Sequence, residues 1–158
     1  MLIKDKITSF IVSYIIFFIA CFNAFAEELN ISAKEIIINK EKNTITAKGS
    51  VEAIDSKGKI IKADSAFYQK SIEHFLAEGS VQITDTEGNI ITTDKAIYDQ
   101  SKEKITTYNN SELFIENGYK LKSNEIIYDI KKDIIGSNSY STLTDIDGNI
   151  VMVDMFEY

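Results

Sequence analysis

The chain contains no proline, which suits a fold in which many backbone N–H groups are paired in ladders. Cysteine and histidine occur once each, as Cys21 and His74. A single thiol makes no internal disulfide, so an exported form of this chain is stabilised by burial and strand pairing alone. A single histidine without a G-x-S-x-G motif leaves a Ser-His-Asp arrangement without an activated hydroxyl, and the expected place for His74 is a surface or hairpin end. Basic residues are also short: 17 Lys and Arg stand against 24 Asp and Glu, a net charge of −7 that suits nucleic-acid phosphates poorly.

The abundant acids do not add up to a catalytic pair, because nothing in the sequence brings two chosen carboxylates together as glycoside hydrolysis requires. "DTEGN" at 85–89 and "DIDGN" at 145–149 gather oxygens, but a calcium loop needs further spaced ligands and a closing bidentate Glu. Both strings read as turns, and no metal or cofactor is expected.

The N-terminus has a basic start, "MLIKDK", an apolar run from Ile7 to Phe25, and Ala24 and Ala26 flanking Phe25 before "EEL". This is the pattern of a secretory signal peptide, residues 1–26, with cleavage after Ala26. A retained anchor, since the run could just span a bilayer, and lipidation at Cys21 are the alternatives. Removing Lys4, Asp5 and Lys6 takes the net charge from −7 to −8 for residues 27–158, which have the length of one domain.

That domain repeats. Rows of thirty residues align Gly58, Gly88, Gly118 and Gly148 in one column, and Tyr68, Tyr98, Tyr128 and Tyr158 in another. Ile38 opens the tyrosine column; Ile45, Phe75, Ile105 and Ile135 form a further one, and Ile61, Ile91, Leu121 and Val151 another. Asp64, Asp94 and Asp154 share a column with Asn124. Each row reads as two strands rich in β-branched and aromatic residues, joined by the glycine turns "DSKGK", "DTEGN", "IENGY" and "DIDGN". Gly49 and Gly79 fall inside strand patterns and mark bulges or bends. In "NIITTDKAIYD" the inward set changes from odd (Ile91, Thr93) to even (Ala96, Tyr98), which requires a bend near Asp94.

The expected fold is therefore all-β: repeated bent antiparallel hairpins forming an open β-jellyroll or sandwich, with a parallel β-helix as the structural alternative. Tyr68, Tyr98, Tyr128, Phe67, Phe75 and Phe114 are expected to fill the core, or else to line an apolar groove between sheets that do not close. Such a stack leaves its first strand, near Ile36 and Ile38, and its last, near Ile150, Val151 and Val153, with unpaired backbone edges suited to strand addition.

"AKGSV" at 47–51, "AEGSV" at 77–81, "ADSAFY" and "TDKAIYD" resemble the recurrent Gly-x-Val and Asp-x-x-x-Tyr steps of the OstA-like lipopolysaccharide-transport family, which includes LptA, LptC and the periplasmic N-terminal domain of LptD. The likeness runs over roughly residues 31–158; Asn109 and Ser139 depart from the glycine step and Asn124 from the aspartate step. The resemblance implies a V-shaped periplasmic β-jellyroll, not an enzyme, whose groove holds the acyl chains of lipopolysaccharide. It further implies edge-to-edge joining with other Lpt jellyrolls or with copies of itself, on a route to the outer membrane. On that basis the groove candidates are Ile61, Phe75, Ile83, Ile91, Ala96, Tyr98, Ile105, Leu113 and Ile126. The last row stops at Tyr158 without a second arm, so the expectation covers both a small LptA-like bridge and the leading part of an LptD-like chain. A module that pairs through its edges without lipid is the alternative from another functional class, and an exported hydrolase using His74 is a distant third.

Overall fold

A computed structural model describes residues 29–157; the expected leader, Cys21 and Tyr158 lie outside them. The strands are β1 (Asn30–Ser32), β2 (Glu35–Asn39), β3 (Thr44–Ile54), β4 (Ile60–Gln69), β5 (His74–Thr84), β6 (Ile90–Asp99), β7 (Lys104–Tyr108) and β8 (Ser111–Phe114). They continue as β9 (Lys120–Ser123), β10 (Ile127–Asp129), β11 (Ile134–Ser137), β12 (Ser141–Thr144), β13 (Ile150–Val153) and β14 (Phe156–Glu157). All fourteen join one antiparallel sheet that does not close, as the hairpin turns required and contrary to the β-helix alternative.

The sheet folds across the middle of its long strands into two layers. In the first layer β2 pairs with the early half of β3, followed by the facing halves of β4, β5 and β6, then β7, β10, β11 and β14. In the second, β1 pairs with the late half of β3, followed by the other halves of β4, β5 and β6, then β8, β9, β12 and β13.

The crease is built from pairs of left-handed residues. Gly49 and Ser50 have φ of 76° and 50°, Gly79 and Ser80 80° and 46°, and Asn109 and Asn110 64° and 45°. The first two pairs are bulges, and Gly79 and Ser80 together oppose Asp94, between the Glu78↔Lys95 and Val81↔Thr93 pairings, whereas Asn109 and Asn110 make the same turn between β7 and β8. The aspartate column supports the strained second residue. Asp64 Oδ2 accepts from Ser80 Oγ at 3.2 Å, and Asp94 Oδ2 accepts from Asn110 Nδ2 at 2.7 Å. Inward residues skip the bend accordingly: Ala47 to Val51 and Ala77 to Val81 on bulged strands, Ala63 to Ala66 and Thr93 to Ala96 on their neighbours. This is the parity change seen in the sequence.

Two layers meeting at a crease enclose a wedge, and side-chain size follows its width. Beside the crease the pairings run Ala47, Ala66, Ala77, Ala96 and Thr107, whereas one step outward they run Ile45, Tyr68, Phe75, Tyr98, Ile105, Tyr128 and Ile135. The facing layer supplies Ala53, Ile61, Ile83, Ile91, Leu113, Leu121 and Leu143. Phe67 and Phe114 correct one expectation. Each neighbours an inward residue, Tyr68 or Leu113, so strand alternation turns it outward, and both are exposed. Lys120 Nζ covers the Phe114 ring at 4.6 Å.

Past β6 the bend breaks the strands apart, and buried hydroxyls take over backbone partners. Thr93 Oγ1 donates toward Tyr108 O at 3.0 Å or Asn109 O at 2.9 Å; Thr107 Oγ1 accepts from Ile126 N at 2.9 Å and sits 2.6 Å from Ser111 Oγ. Ser123, Ser137 and Ser141 continue this line. Columns that hold alanine or valine in the early rows thus hold threonine or serine later.

A Cβ on Gly79 would stand 2.5 Å from Asp64 Oδ2 and 2.9 Å from its Cβ, whereas one on Gly148 meets nothing within 4 Å. Both have positive φ, which costs an L-residue about 1–2 kcal/mol. Urea denaturation should show Gly148→Ala losing about 1 kcal/mol and Gly79→Ala at least about 2 kcal/mol, because only the latter also displaces the aspartate that holds the bend.

Candidate functional site

The interior of the wedge is the site the sequence pointed to. Ile61, Phe75, Ile83, Ile91, Ala96, Tyr98, Ile105, Leu113 and Ile126 all face inward and all are 3% exposed or less. They lie on the two facing inward columns and the crease between them, so the sheet brings together residues about two thirty-residue rows apart in sequence.

Packing along the stack is uneven. Around Ile83, Ile91, Ile105 and Tyr128 only about 10 Å³ of space remains between the layers. Toward the C-terminal end a cavity of about 330 Å³ opens, lined by Leu113, Ile115, Tyr119, Leu121 and Leu143 from the second layer with Ile135 and Phe156 from the first. Of these only Leu113 was among the sequence candidates. Leu121 and Ile135 fall in apolar columns of the repeat, whereas Ile115 and Tyr119 belong to the segment read as its third turn.

The wedge's mouth carries polar ties that strand periodicity did not reveal. Asp55 Oδ1 accepts from the backbone N–H groups of Lys57 and Lys59 at 3.0 and 2.8 Å, shaping the turn. Its Oδ2 receives Lys59 Nζ at 3.3 Å and, from the other layer, Tyr98 Oη at 3.2 Å. Lys59 Nζ also reaches Tyr98 Oη at 3.1 Å. Asp55 and Lys59 are both buried, so the ion pair sits inside the sandwich. Nearer solvent, Lys57 Nζ meets Glu103 Oε2 across the mouth at 2.7 Å. One row on, burial and then the charges of Asp85, Glu87 and Asp133, together with a hydrogen bond to Asp85, push the Tyr128 phenol up to about 12.

The turn acids of the two later Asp-x-x-Gly-Asn strings make bonds of the same kind. Asp85 and Asp145 use Oδ1 for the N–H groups of their own turns and Oδ2 for the amides of Asn89 and Asn149. In the third turn Ile115 stands in the aspartate column, and backbone bonds alone close it.

His74 lies at a hairpin end. Its Nε2 is 3.1 Å from Asp99 Oδ2, while Ser101 Oγ donates to Asp99 Oδ1 at 2.7 Å rather than to the imidazole. Burial raises the Asp99 carboxyl, but the Lys102 ammonium and amide, Ser101 and His74 outweigh it and hold that carboxyl far below the usual range.

The edge candidates divide by face. Ile36 and Ile38 pair with the inward residues Ala47 and Ile45, and Val151 and Val153 with Leu143 and Ser141. Ile38 is 62% and Val151 54% exposed because the stack stops there, not because they point outward. Ile150 pairs with Thr144 on the outer side and is exposed on that account.

This architecture, an open antiparallel sheet folded into a wedge, is the β-jellyroll of LptA-type transport components. In particular the chain is similar in structure to LptH, the LptA-homologous periplasmic component of the lipopolysaccharide transport device from Pseudomonas aeruginosa. The TM-score is 0.65 at 11% identity, covering 80% of this chain and 94% of that one. No family model matches the sequence, and no curated protein matches it significantly.

Two outcomes follow for the polar ties. Lys59→Met leaves the Asp55 carboxylate buried without its ammonium and should lower unfolding free energy by about 3–5 kcal/mol, with Asp55→Asn added in the same chain recovering part of the loss. For Asp99 the folded-state pKa is depressed, so its contribution is present above the unfolded value near pH 4 and is lost as pH falls through the folded one. Denaturation curves at pH 7 and pH 3 should therefore differ less in Asp99→Asn than in the parent.

Proposed function

We propose that this domain binds the acyl chains of lipopolysaccharide in its wedge-shaped interior and passes them along the stack in the periplasm, acting as a carrier and not as an enzyme. The observation that supports it most is the pair of inward apolar rows that run the length of the domain and end uncovered, at Ile38 on one end and Val151 on the other. Water exclusion supplies the affinity: each methylene buried is worth about 0.8 kcal/mol, so a multi-chain lipid stays in such a trough unless another apolar surface continues it. The C-terminal cavity, where Leu143, Tyr119 and Phe156 are partly accessible, is the natural first contact. The LptA-like fold is consistent with this reading, since the similar LptH is a component of a lipopolysaccharide transport device.

The exposed ends suit edge-to-edge joining. Both present inward-facing apolar residues beside unpaired strand edges, so another Lpt jellyroll, or a second copy, that adds a strand there would extend the rows and the ladder together. Export through the 1–26 leader would bring the domain to that compartment, in association with the outer membrane.

A packed pairing module without lipid is the second reading, favoured by the near-complete burial of the nine sequence candidates. Site-specific photo-crosslinking in a lipopolysaccharide-producing host separates the two. A photoreactive residue at Tyr119 or Leu143 should attach lipopolysaccharide, and one at Thr142, the neighbouring position on β12, should not. Attachment at none of the three, in folded protein that still self-associates with concentration, would leave the pairing module as the function.

A further inference from the structure

The polar ties across the mouth follow the same thirty-residue period as the strands. Tyr98 lies 43 positions after Asp55, and Tyr128 lies 128 − 85 = 43 positions after Asp85. In the first case the phenol of a first-layer tyrosine donates to the aspartate of a second-layer turn at 3.2 Å, and in the second Tyr128 and Asp85 flank the same narrow gap between the layers. The third turn has Ile115 in that column, which offers a tyrosine no acceptor, and Ile115 borders the 330 Å³ cavity.

The charges around the rungs are graded as well. At the first, a buried ammonium joins the carboxylate and phenol, and Lys57 and Glu103 draw the lips together from opposite layers. At the second, Glu87 and Glu116 from second-layer turns face Asp133 from the first layer around a depression of about 240 Å³ that includes Tyr128. Like charges across this part of the mouth favour separation, and opposite charges at the first rung favour closure.

We propose that the Tyr98–Asp55 and Tyr128–Asp85 rungs form a graded latch on the interior, which parts from the unlatched third row inward and so sets how far along the stack a bound chain reaches. The last clause rests on the carrier reading above; the latch itself does not. A phenol–carboxylate bond is suited to the task because a single rung contributes modestly, so it can open without unfolding either layer.

The test uses the full chain with Cys21→Ser and one interior reporter, either Ile91→Cys, which borders the second rung, or Ile61→Cys, one row nearer the N-terminus. Labelling by the thiol reagent DTNB is followed at urea concentrations well below the unfolding midpoint. Tyr128→Phe should speed labelling of Ile91→Cys about tenfold and change Ile61→Cys less than about twofold, whereas Tyr98→Phe should speed Ile61→Cys. Rates should be nearly independent of urea, as for a local opening. Unchanged labelling in Tyr128→Phe, or rates whose urea dependence equals that of global unfolding for both reporters, would overturn the latch. Purified lipopolysaccharide should protect Ile91→Cys before Ile61→Cys. If it protects neither while Tyr128→Phe still speeds labelling, the latch stands and the carrier reading fails.

Discussion

Everything in this fold depends on turning each strand from one layer into the other without moving its inner face to the outside. A strand alternates faces at every residue, so a smooth bend would expose half the core. The paired left-handed residues at 49–50 and 79–80 solve this by adding one residue on the bulged strand, and those at 109–110 do so where β7 gives way to β8. Their cost is met locally. Glycine or asparagine takes the first position, where left-handed backbone is least strained, and at 79–80 and 109–110 the carboxylate of Asp64 or Asp94 on the neighbouring strand binds the side chain at the second. Asp64 and Asp94 of the aspartate column therefore support the bend.

A wedge follows from the crease, and the composition of each row follows from the wedge. Near the apex small residues, mostly alanine, valine, threonine and serine, fill the space between the layers; farther out there is room for tyrosine, phenylalanine and isoleucine. Where the later rows lose the glycine step, the strands separate at the apex and backbone groups lose ladder partners. The same apex columns change there from alanine and valine to threonine and serine, and their hydroxyls satisfy those groups. The drift of the repeat and the appearance of the hydroxyl ladder are one structural event.

Much of this was legible in the sequence because it is periodic in single positions. The hairpin turns, the bulges at Gly49 and Gly79, the parity change at Asp94 and the inward direction of all nine groove candidates are consequences of alternation and glycine geometry, which act over a few residues. Phe67 and Phe114 were misplaced because an aromatic residue was weighed by type before face; each adjoins a stronger inward position. The ties between Tyr98, Asp55 and Lys59 were not legible, since they relate two columns across two layers and no local rule links positions 43 apart. The C-terminal cavity was missed for a related reason: packing density depends on how far apart the layers stand, and alternation fixes direction alone.

The two ends of the stack differ in a way that bears on what can join them. At the N-terminal end Leu29 is buried against the core and the tie between Tyr98 and Asp55 lies one row in, while the β2 edge exposes Ile36 and Ile38. At the C-terminal end the cavity, the half-covered Leu143 and Phe156, and the exposed Val151 leave both backbone and interior accessible. A strand added at the first end would lengthen the ladder and cover Ile36 and Ile38. At the other end, the same addition would have to cover an open apolar mouth as well, worth about 1.5–3 kcal/mol for each large side chain buried. The ends are thus chemically unequal although the repeat that builds them is the same.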